Sequence, residues 1–190
     1  MTIKIAVRRI VSAFLAASLL APLPSQAQTS APTARPLLAA NPAEAAAKRP
    51  WLYEKSDVPM DPAWRFGVLP NGLRYAIRRN DVPAGQVSIR VRVDVGSLME
   101  EPSEAGFAHF IEHLSFRGSR NVPDGESKRI WQRLGAEFGS DTNAQTSPTG
   151  TTFALDLPRA TDAGIDESLK ILAGMLAEPS IAAAAVNAER

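Results

Sequence analysis

Three segments of the chain alternate apolar and polar residues, the pattern of a β-strand that buries one face. The most regular is 87–96, in which five β-branched residues occupy every second position. They are Val87, Ile89, Val91, Val93 and Val95. Segments 73–79 and 151–157 alternate in the same way. We expect 73–79 and 87–96 to form an antiparallel pair joined by the loop at Pro83-Ala84-Gly85.

Helical periodicity replaces this alternation in four places. The predicted helices are 103–116, 126–134, 162–177 and a fourth from residue 182 onward. Ser103 is a suitable N-cap for the first of them. The third presents an apolar stripe made of Ile165, Leu169, Leu172 and Leu176. The element order β-β-α-α-β-α-α predicts an α+β fold, an antiparallel sheet with helices packed over it.

The start of the chain has the pattern of an export signal. Lys4, Arg8 and Arg9 precede an apolar stretch, and Ser25-Gln26-Ala27 offers the small residues that a signal peptidase accepts. We therefore expect residues 1–27 to be a cleaved signal peptide, with retention as a membrane anchor the alternative. No stable anchor is expected, because prolines interrupt an apolar run shorter than the roughly 20 residues that span a bilayer.

Charge and composition narrow the function classes. Residues 1–27 hold three of the 21 basic residues and none of the 20 acidic ones, so the remainder has 18 basic and 20 acidic residues, a net charge of −2. A basic face for nucleic acid is not indicated, and we expect no nucleic-acid partner. The chain has no cysteine, which excludes disulfides and a cysteine-linked lipid.

We expect a periplasmic or secreted protein with a flexible Ala/Pro-rich tail at 28–60 and a folded domain at 61–190.

The chemistry is concentrated in one short segment. The two histidines of the chain, His109 and His113, lie four residues apart, with Glu112 between them. On a helix they project from one face, one turn apart, and two such imidazoles can hold one Zn²⁺. Zinc lowers the pKa of a coordinated water, and the nearby carboxylate can then accept its proton. The order His-x-x-Glu-His is the inverzincin signature, although two histidines that merely pack on a partly buried helix would show the same spacing.

The surrounding sequence resembles the pitrilysin/insulinase family of metallopeptidases. The resemblance rests on a strand ending in Gly96-Ser97, an acidic loop, the run from Gly106 to Ser119 and a downstream Asn143-Ala144-Gln145-Thr146 segment. It covers residues 66–190 and is strongest to bacterial periplasmic members. It implies the fold of mitochondrial-processing-peptidase-like metallohydrolases. Residues 61–190 would then be the N-terminal peptidase domain, incomplete at its C-terminal end.

The resemblance also assigns roles. It makes His109 and His113 zinc ligands and Glu112 the general base in the hydrolysis of extended peptides. It places Asn143 and Ala144 on an edge strand that binds the peptide substrate, although Asn143 alone is equally typical of a turn residue. Arg117 is interpreted as a solvated surface charge. The alternative function is a non-catalytic family member that acts as an interaction or structural subunit.

A third protein ligand is required for this kind of zinc site. Glu189 lies at nearly the family's separation from His113, but its local Asn-Ala-Glu-Arg pattern matches an earlier acid of the family that orients the site. Either Glu189 is the third ligand, or it is an acid that orients a ligand and the third ligand is a Glu beyond the chain end. We favour the latter and expect the 190 residues alone, without the remaining peptidase domains, to bind zinc weakly and hydrolyse little.

Overall fold

A computed structural model describes residues 48–190 of the chain. The predicted signal peptide at 1–27, and the part of the predicted tail up to residue 47, lie outside the described residues. Within residues 48–190, no helix is both long and apolar enough to cross a membrane.

The strands of the described residues form two antiparallel sheets. The smaller sheet is a hairpin of β1 (Trp64–Val68) and β2 (Arg74–Arg78). The larger has the order β3-β5-β4 and is built from β3 (Val87–Val93), β4 (Thr142–Ser147) and β5 (Gly150–Leu157). β5 is therefore the central strand, with antiparallel partners on both sides.

The strand pairing that alternation predicted is wrong. Segment 73–79 contains β2, which pairs with β1 and not with β3. Instead β3 pairs with β5, so that Val91 lies opposite Phe153, more than sixty residues along the chain. The hydrophobic pattern fixes which face of a strand is buried but carries no information about its neighbour. Strand β4 was predicted only through the family resemblance, because its residues are mostly polar.

The α-helices from residue 107 onward follow the predicted positions closely. They are α1 (Phe107–Ser115), α2 (Glu126–Arg133), α3 (Asp162–Ala177) and α4 (Ala183–Glu189). The main difference is at the start of α1, where Ser103 is not the N-cap. Pro102–Glu104 forms a separate 3₁₀ turn, and the cap is Gly106 at φ +92°, a left-handed conformation that favours glycine and ends the preceding turn.

The core lies between one face of the larger sheet and helices α2 and α3. Leu155 and Leu157 of β5 pack with Trp131 of α2 and Met175 of α3, each at most 1% exposed. The buried stripe of α3 differs from the predicted one, since Leu169 is 48% exposed. Its buried positions are Gly164, Ser168, Ile171, Leu172 and Met175. The α+β prediction is confirmed by this layered arrangement.

Helix α1 lies against β4 and beside α4. Of its residues, Glu112, Leu114 and Ser115 are buried, and they fix the helix to the rest of the domain. The N-terminal end of α1 is held by Glu100, whose carboxylate accepts hydrogen bonds from the N–H groups of Gly106 (2.8 Å) and Ala108 (2.7 Å). These bonds, that of Ala108 above all, lower the pKa of the Glu100 carboxyl, as expected for an anion at a helix N-terminus.

Candidate metal centre

The two histidines lie on the exposed side of α1, one turn apart. Their Nε2 atoms are 3.1 Å apart, and their ring centroids are separated by 4.7 Å. Both ring tips therefore face the same point outside the helix. The helical segment, predicted from the His-x-x-Glu-His spacing, is confirmed as α1.

This spacing fits a single zinc ion. Two nitrogen ligands at about 2.0–2.1 Å from a tetrahedral zinc lie about 3.3 Å from each other. The observed separation of 3.1 Å between the Nε2 atoms is within a few tenths of an ångström of that value. The ligand atoms of His109, Glu112 and His113 all lie within 4.8 Å of one another. The donors are thus of the right type and in the right place for zinc.

Glu112 projects from α1 toward the sheet. It is 8% exposed, and its carboxylate accepts a hydrogen bond of 2.5 Å from the hydroxyl of Thr146 on β4. The Thr146 oxygen also lies 3.3 Å from the hydroxyl oxygen of Thr151 on β5. Burying a carboxylate is unfavourable unless hydrogen bonds or a nearby cation compensate it. The Thr146 hydroxyl supplies the former, and a metal ion at the imidazoles would supply the latter.

Glu189 contacts His113 from behind the metal position. Its Oε2 atom lies 3.1 Å from Nδ1 of His113, the ring nitrogen that does not face His109. Its other oxygen, Oε1, accepts a hydrogen bond of 2.6 Å from Nε of Arg117. The Arg117 guanidinium, and after it the His113 ring, lower the pKa of the Glu189 carboxyl. Arg117 is therefore not merely a solvated surface charge, as the sequence suggested.

Strand β4 borders the site and is an edge strand of the larger sheet. Asn143 and Ala144 both lie on it, where the family resemblance predicted an edge strand. The N–H group of Ala144 donates to the side-chain oxygen of Asn143 at 2.9 Å. Gly96 packs so tightly against the turn that follows β4 that an added Cβ would lie 2.0 Å from the carbonyl oxygen of Ser147. This contact fits the end of β4 closely against the segment that follows β3.

The comparison with known protein families agrees with this geometry. The sequence model of Insulinase (Peptidase family M16) matches residues 75–190, which is more than half of the chain. The chain belongs to the insulinase family. The resemblance predicted from the motifs is thereby confirmed, and the fold is that of the insulinase family.

Relatives of this insulinase-family chain include bacterial zinc proteases. "Probable zinc protease PqqL" of Escherichia coli is 33% identical over 133 residues, 70% of this chain and 14% of that protein. The protein of the same name from Haemophilus influenzae is 35% identical over 106 residues, 56% of this chain and 11% of that protein. The predicted cofactor, zinc, is confirmed by these relatives and by the His109, Glu112 and His113 group.

Solved structures of the family superpose on the chain. The crystal structure of the periplasmic protease PqqL from Escherichia coli matches with a TM-score of 0.66 and 32% identity, over 70% of this chain and 15% of that one. A mutant of the ferredoxin protease FusC, solved in complex with Arabidopsis ferredoxin, matches with a TM-score of 0.60 and 28% identity over 66% of this chain and 14% of that one. The chain spans at most 15% of the length of each of these relatives.

The sequence did not predict that Thr146 and Arg117 belong to the site. Thr146 was noted only as part of the Asn143-to-Thr146 motif, and its contact with Glu112 depends on β4 lying against α1. Arg117 carried none, because its partner Glu189 is 72 residues away in the sequence. Both contacts arise from tertiary packing, so no local pattern reports them.

Proposed function

We propose that this chain provides the catalytic centre of a zinc metallopeptidase that hydrolyses extended peptides. The observation that carries the proposal is the meeting of three groups on α1. Two Nε2 atoms lie 3.1 Å apart, and a buried carboxylate lies beside them. Membership of the insulinase family and the zinc-protease relatives support the same class of reaction.

In the proposed reaction, His109 and His113 hold the ion through Nε2, and Glu112 is the general base. Bound zinc supplies Lewis acidity toward the peptide carbonyl and toward water. Glu112 accepts the proton of the water that attacks the carbonyl carbon and then delivers it to the leaving amine. The Thr146 hydroxyl holds the carboxylate in place during both transfers, since it donates to that carboxylate in the resting protein.

We propose that Glu189 orients a ligand and is not itself the third ligand. Its carboxylate is already engaged by Arg117 and by Nδ1 of His113, on the side of the ring away from His109. A carboxylate that accepts from the second nitrogen of a ligating histidine orients the ring and raises its basicity. Among residues 48–190, the metal is then held mainly by two imidazoles, so we expect weak zinc affinity and slow turnover for the 190 residues alone.

We propose that the peptide binds along the free edge of β4. Strand addition at a sheet edge holds an extended chain through backbone hydrogen bonds. A carbonyl group of the peptide would accept from the N–H of Ala144 in place of the Asn143 side chain, which accepts from it now. The Asn143 amide would then be free to bond the peptide as well. Such a site selects unfolded or extended segments and excludes helical ones.

We propose a periplasmic or secreted location for the protein. The predicted signal peptide at 1–27 supports it, as does the similarity to the periplasmic protease PqqL of Escherichia coli. Fractionation of a Gram-negative host that expresses the chain would test this proposal. Recovery of the chain at its full, unprocessed length in the cytoplasm would contradict it.

The Glu112→Gln variant tests the catalytic proposal. It keeps the shape of the side chain and can still accept from Thr146, but it cannot take a proton. Since general-base catalysis contributes about 10²–10⁴-fold, we expect a loss of that order in kcat for an unstructured peptide, followed by mass spectrometry, with zinc content unchanged. Glu54→Gln, an exposed position in the Leu52–Lys55 turn, is the matched control.

Two outcomes would contradict the proposal. Cleavage by Glu112→Gln at the rate of the unsubstituted chain would remove Glu112 from its role as base. Peptide binding without any cleavage over long incubation, by zinc-loaded protein that includes the remaining peptidase domains, would favour the alternative, an interaction subunit that has kept the fold. Removal of zinc by a chelator should abolish cleavage, and the return of zinc should restore it.

A further inference from the structure

We propose that Arg117 is a positioning residue of the metal centre. Through Glu189 it fixes which nitrogen of His113 carries the proton, and so keeps Nε2 of that ring available to the metal. The proposal rests on the proposed function only for the identity of the metal ligands. It concerns a residue outside the His-x-x-Glu-His motif that the sequence interpretation had placed on the solvated surface.

The contacts form one continuous chain of four side chains. Nε of Arg117 donates to Oε1 of Glu189 (2.6 Å), and Oε2 of Glu189 lies 3.1 Å from Nδ1 of His113. Nε2 of His113 in turn lies 3.1 Å from Nε2 of His109. An ionised carboxylate can only accept hydrogen bonds. The proton between Glu189 and His113 must therefore reside on Nδ1 of the ring.

This assignment fixes the rest of the chain of hydrogen bonds. A neutral imidazole has one N–H and one lone pair, so protonation of Nδ1 leaves Nε2 of His113 as an acceptor. His109 must then donate from its own Nε2 in the metal-free protein, because the two atoms are within hydrogen-bond distance. The two histidines are thus expected in opposite tautomers, Nδ1–H at His113 and Nε2–H at His109.

Arg117 is the group that holds Glu189 in this position. The Glu189 side chain is 18% exposed and belongs to α4, a helix of only seven residues. The guanidinium of Arg117, which is 35% exposed, donates from Nε to Oε1 of Glu189 at 2.6 Å. This charge-assisted hydrogen bond keeps the carboxylate turned toward His113. A second acid, Asp124, lies 3.7 Å from the guanidinium and is more exposed, at 57%.

The backbone around Arg117 is tied to the segment that leads into α4. The carbonyl of Gly118 accepts from the N–H of Ser180 (3.0 Å), and the N–H of Arg120 donates to the carbonyl of Glu178 (3.1 Å). Gly118 has φ +107°, and a Cβ there would lie 2.9 Å from backbone atoms of Val122 and Asp124. Loop and helix are therefore held in register, which favours a fixed Arg117–Glu189 pair over a chance surface contact.

Imidazole nitrogen spectra of the metal-free chain test the proposal without any peptidase assay. The chain has two histidines, so a long-range ¹H–¹⁵N spectrum contains two ring systems, assigned with the His109→Ala variant. At mildly alkaline pH, we expect Nδ1–H at His113 and Nε2–H at His109. In Arg117→Met, His113 should become a mixture of both tautomers.

Zinc affinity, measured by competition with a chromogenic chelator, gives a second readout. Loss of an outer-shell partner typically weakens metal binding about 10–100-fold; because Arg117 acts through Glu189, we expect a loss of about 3–10-fold in Arg117→Met. Arg117→Lys keeps the charge and one donor, and should restore both the tautomer and the affinity. Arg120→Met is the matched control, since Arg120 pairs with Glu178 and lies in the same loop.

Several results would overturn the proposed role of Arg117. A His113 ring that is Nε2–H in the unsubstituted chain, or that stays Nδ1–H in Arg117→Met, would overturn the proposal. Equal effects of Arg117→Met and Arg120→Met would do the same, because they would show a general charge effect. If Arg117→Met does not fold, as judged by circular dichroism, Arg117→Gln provides the test. If the tautomer prediction fails but the peptide is still cleaved, the proposed function is unaffected. If the tautomers are as expected but no peptide is cleaved, the proposed role of Arg117 is unaffected.

Discussion

The hydrogen bond between Thr146 on β4 and Glu112 on α1 offers a direct test of whether the sheet positions the proposed catalytic base. The Thr146 hydroxyl donates to a carboxylate that is 8% exposed. Thr146→Val has nearly the same shape, so it removes the hydroxyl without opening a cavity. The variant leaves the buried carboxylate without the donor that β4 provides, while the backbone of the edge strand is unchanged.

The expected magnitude follows from the type of hydrogen bond. A hydrogen bond to a charged group contributes about 1.5–3 kcal/mol, and each 1.36 kcal/mol corresponds to about tenfold in rate. If the whole contribution is needed to orient the base, kcat falls by about 10–100-fold. KM should change little, because the peptide is proposed to bind to the backbone of β4. Thr146→Ser keeps the hydroxyl and should retain most of the activity.

The assay is steady-state cleavage of an unstructured peptide by the zinc-loaded chain. Thr149→Val is the matched control, since Thr149 is exposed in the turn between β4 and β5 and its hydroxyl faces Arg92 rather than Glu112. A kcat for Thr146→Val within about twofold of the unsubstituted value, at equal zinc content, would refute the idea that Thr146 positions the base. A loss confined to KM would instead indicate a role in peptide binding.

Two further predictions concern stability. Leu155→Ala removes a core side chain that is 0% exposed and should destabilise the domain by about 2–5 kcal/mol in urea unfolding, whereas Leu169→Ala, 48% exposed, should cost far less; similar costs would contradict the described core. Asp156 is paired with Arg90 through two hydrogen bonds (2.8 and 2.9 Å), and this partner lowers its pKa. The carboxylate therefore stabilises the fold above its ordinary pKa, and this contribution is lost as pH falls through the lowered value. Because both side chains are more than a third exposed, Asp156→Asn should cost only about 0.2–1 kcal/mol at pH 7 and nothing near pH 2; an equal cost at both values would contradict the pairing.

The parts of the fold that local pattern determines were predictable from the sequence. Strand β3 alternates so regularly that its inward face could be read from Val87, Ile89, Val91 and Val93, although the predicted fifth member, Val95, lies beyond the strand and is 50% exposed. The positions of α2 and α3 follow from helical periodicity and the residues at their ends. The His109–His113 spacing places both rings on one face of any α-helix, and the structure has them there. In each case the decisive interactions lie within a few residues of each other.

Other features depend on contacts between distant segments. The pairing of β3 with β5, and the separate β1–β2 hairpin, follow from the assembled sheet and not from the loop lengths. The buried stripe of α3 was predicted incompletely, because Gly164 and Ser168, both buried, are small residues that carry little hydrophobic signal. Of the predicted positions, Leu172 is buried and Ile165 and Leu176 pack against the core, whereas Leu169 is exposed. An added Cβ at Gly164 would lie 3.2 Å from the side chain of Leu134, and at such a close contact a small residue is favoured by packing rather than by hydrophobicity.

Arg117 was misinterpreted for the same reason, because its partner Glu189 is distant in the sequence. An arginine after a helix is usually a solvated charge, and surface ion pairs contribute little. Arg117 differs because its carboxylate partner also contacts a ring whose opposite nitrogen faces the metal position. The significance of the ion pair therefore lies in what it orients and not in its own energy. The role of a charged residue near a metal centre is therefore better predicted from whether its partner contacts a metal ligand than from its own exposure. For Arg117 that partner is Glu189, whose Oε2 lies 3.1 Å from Nδ1 of His113.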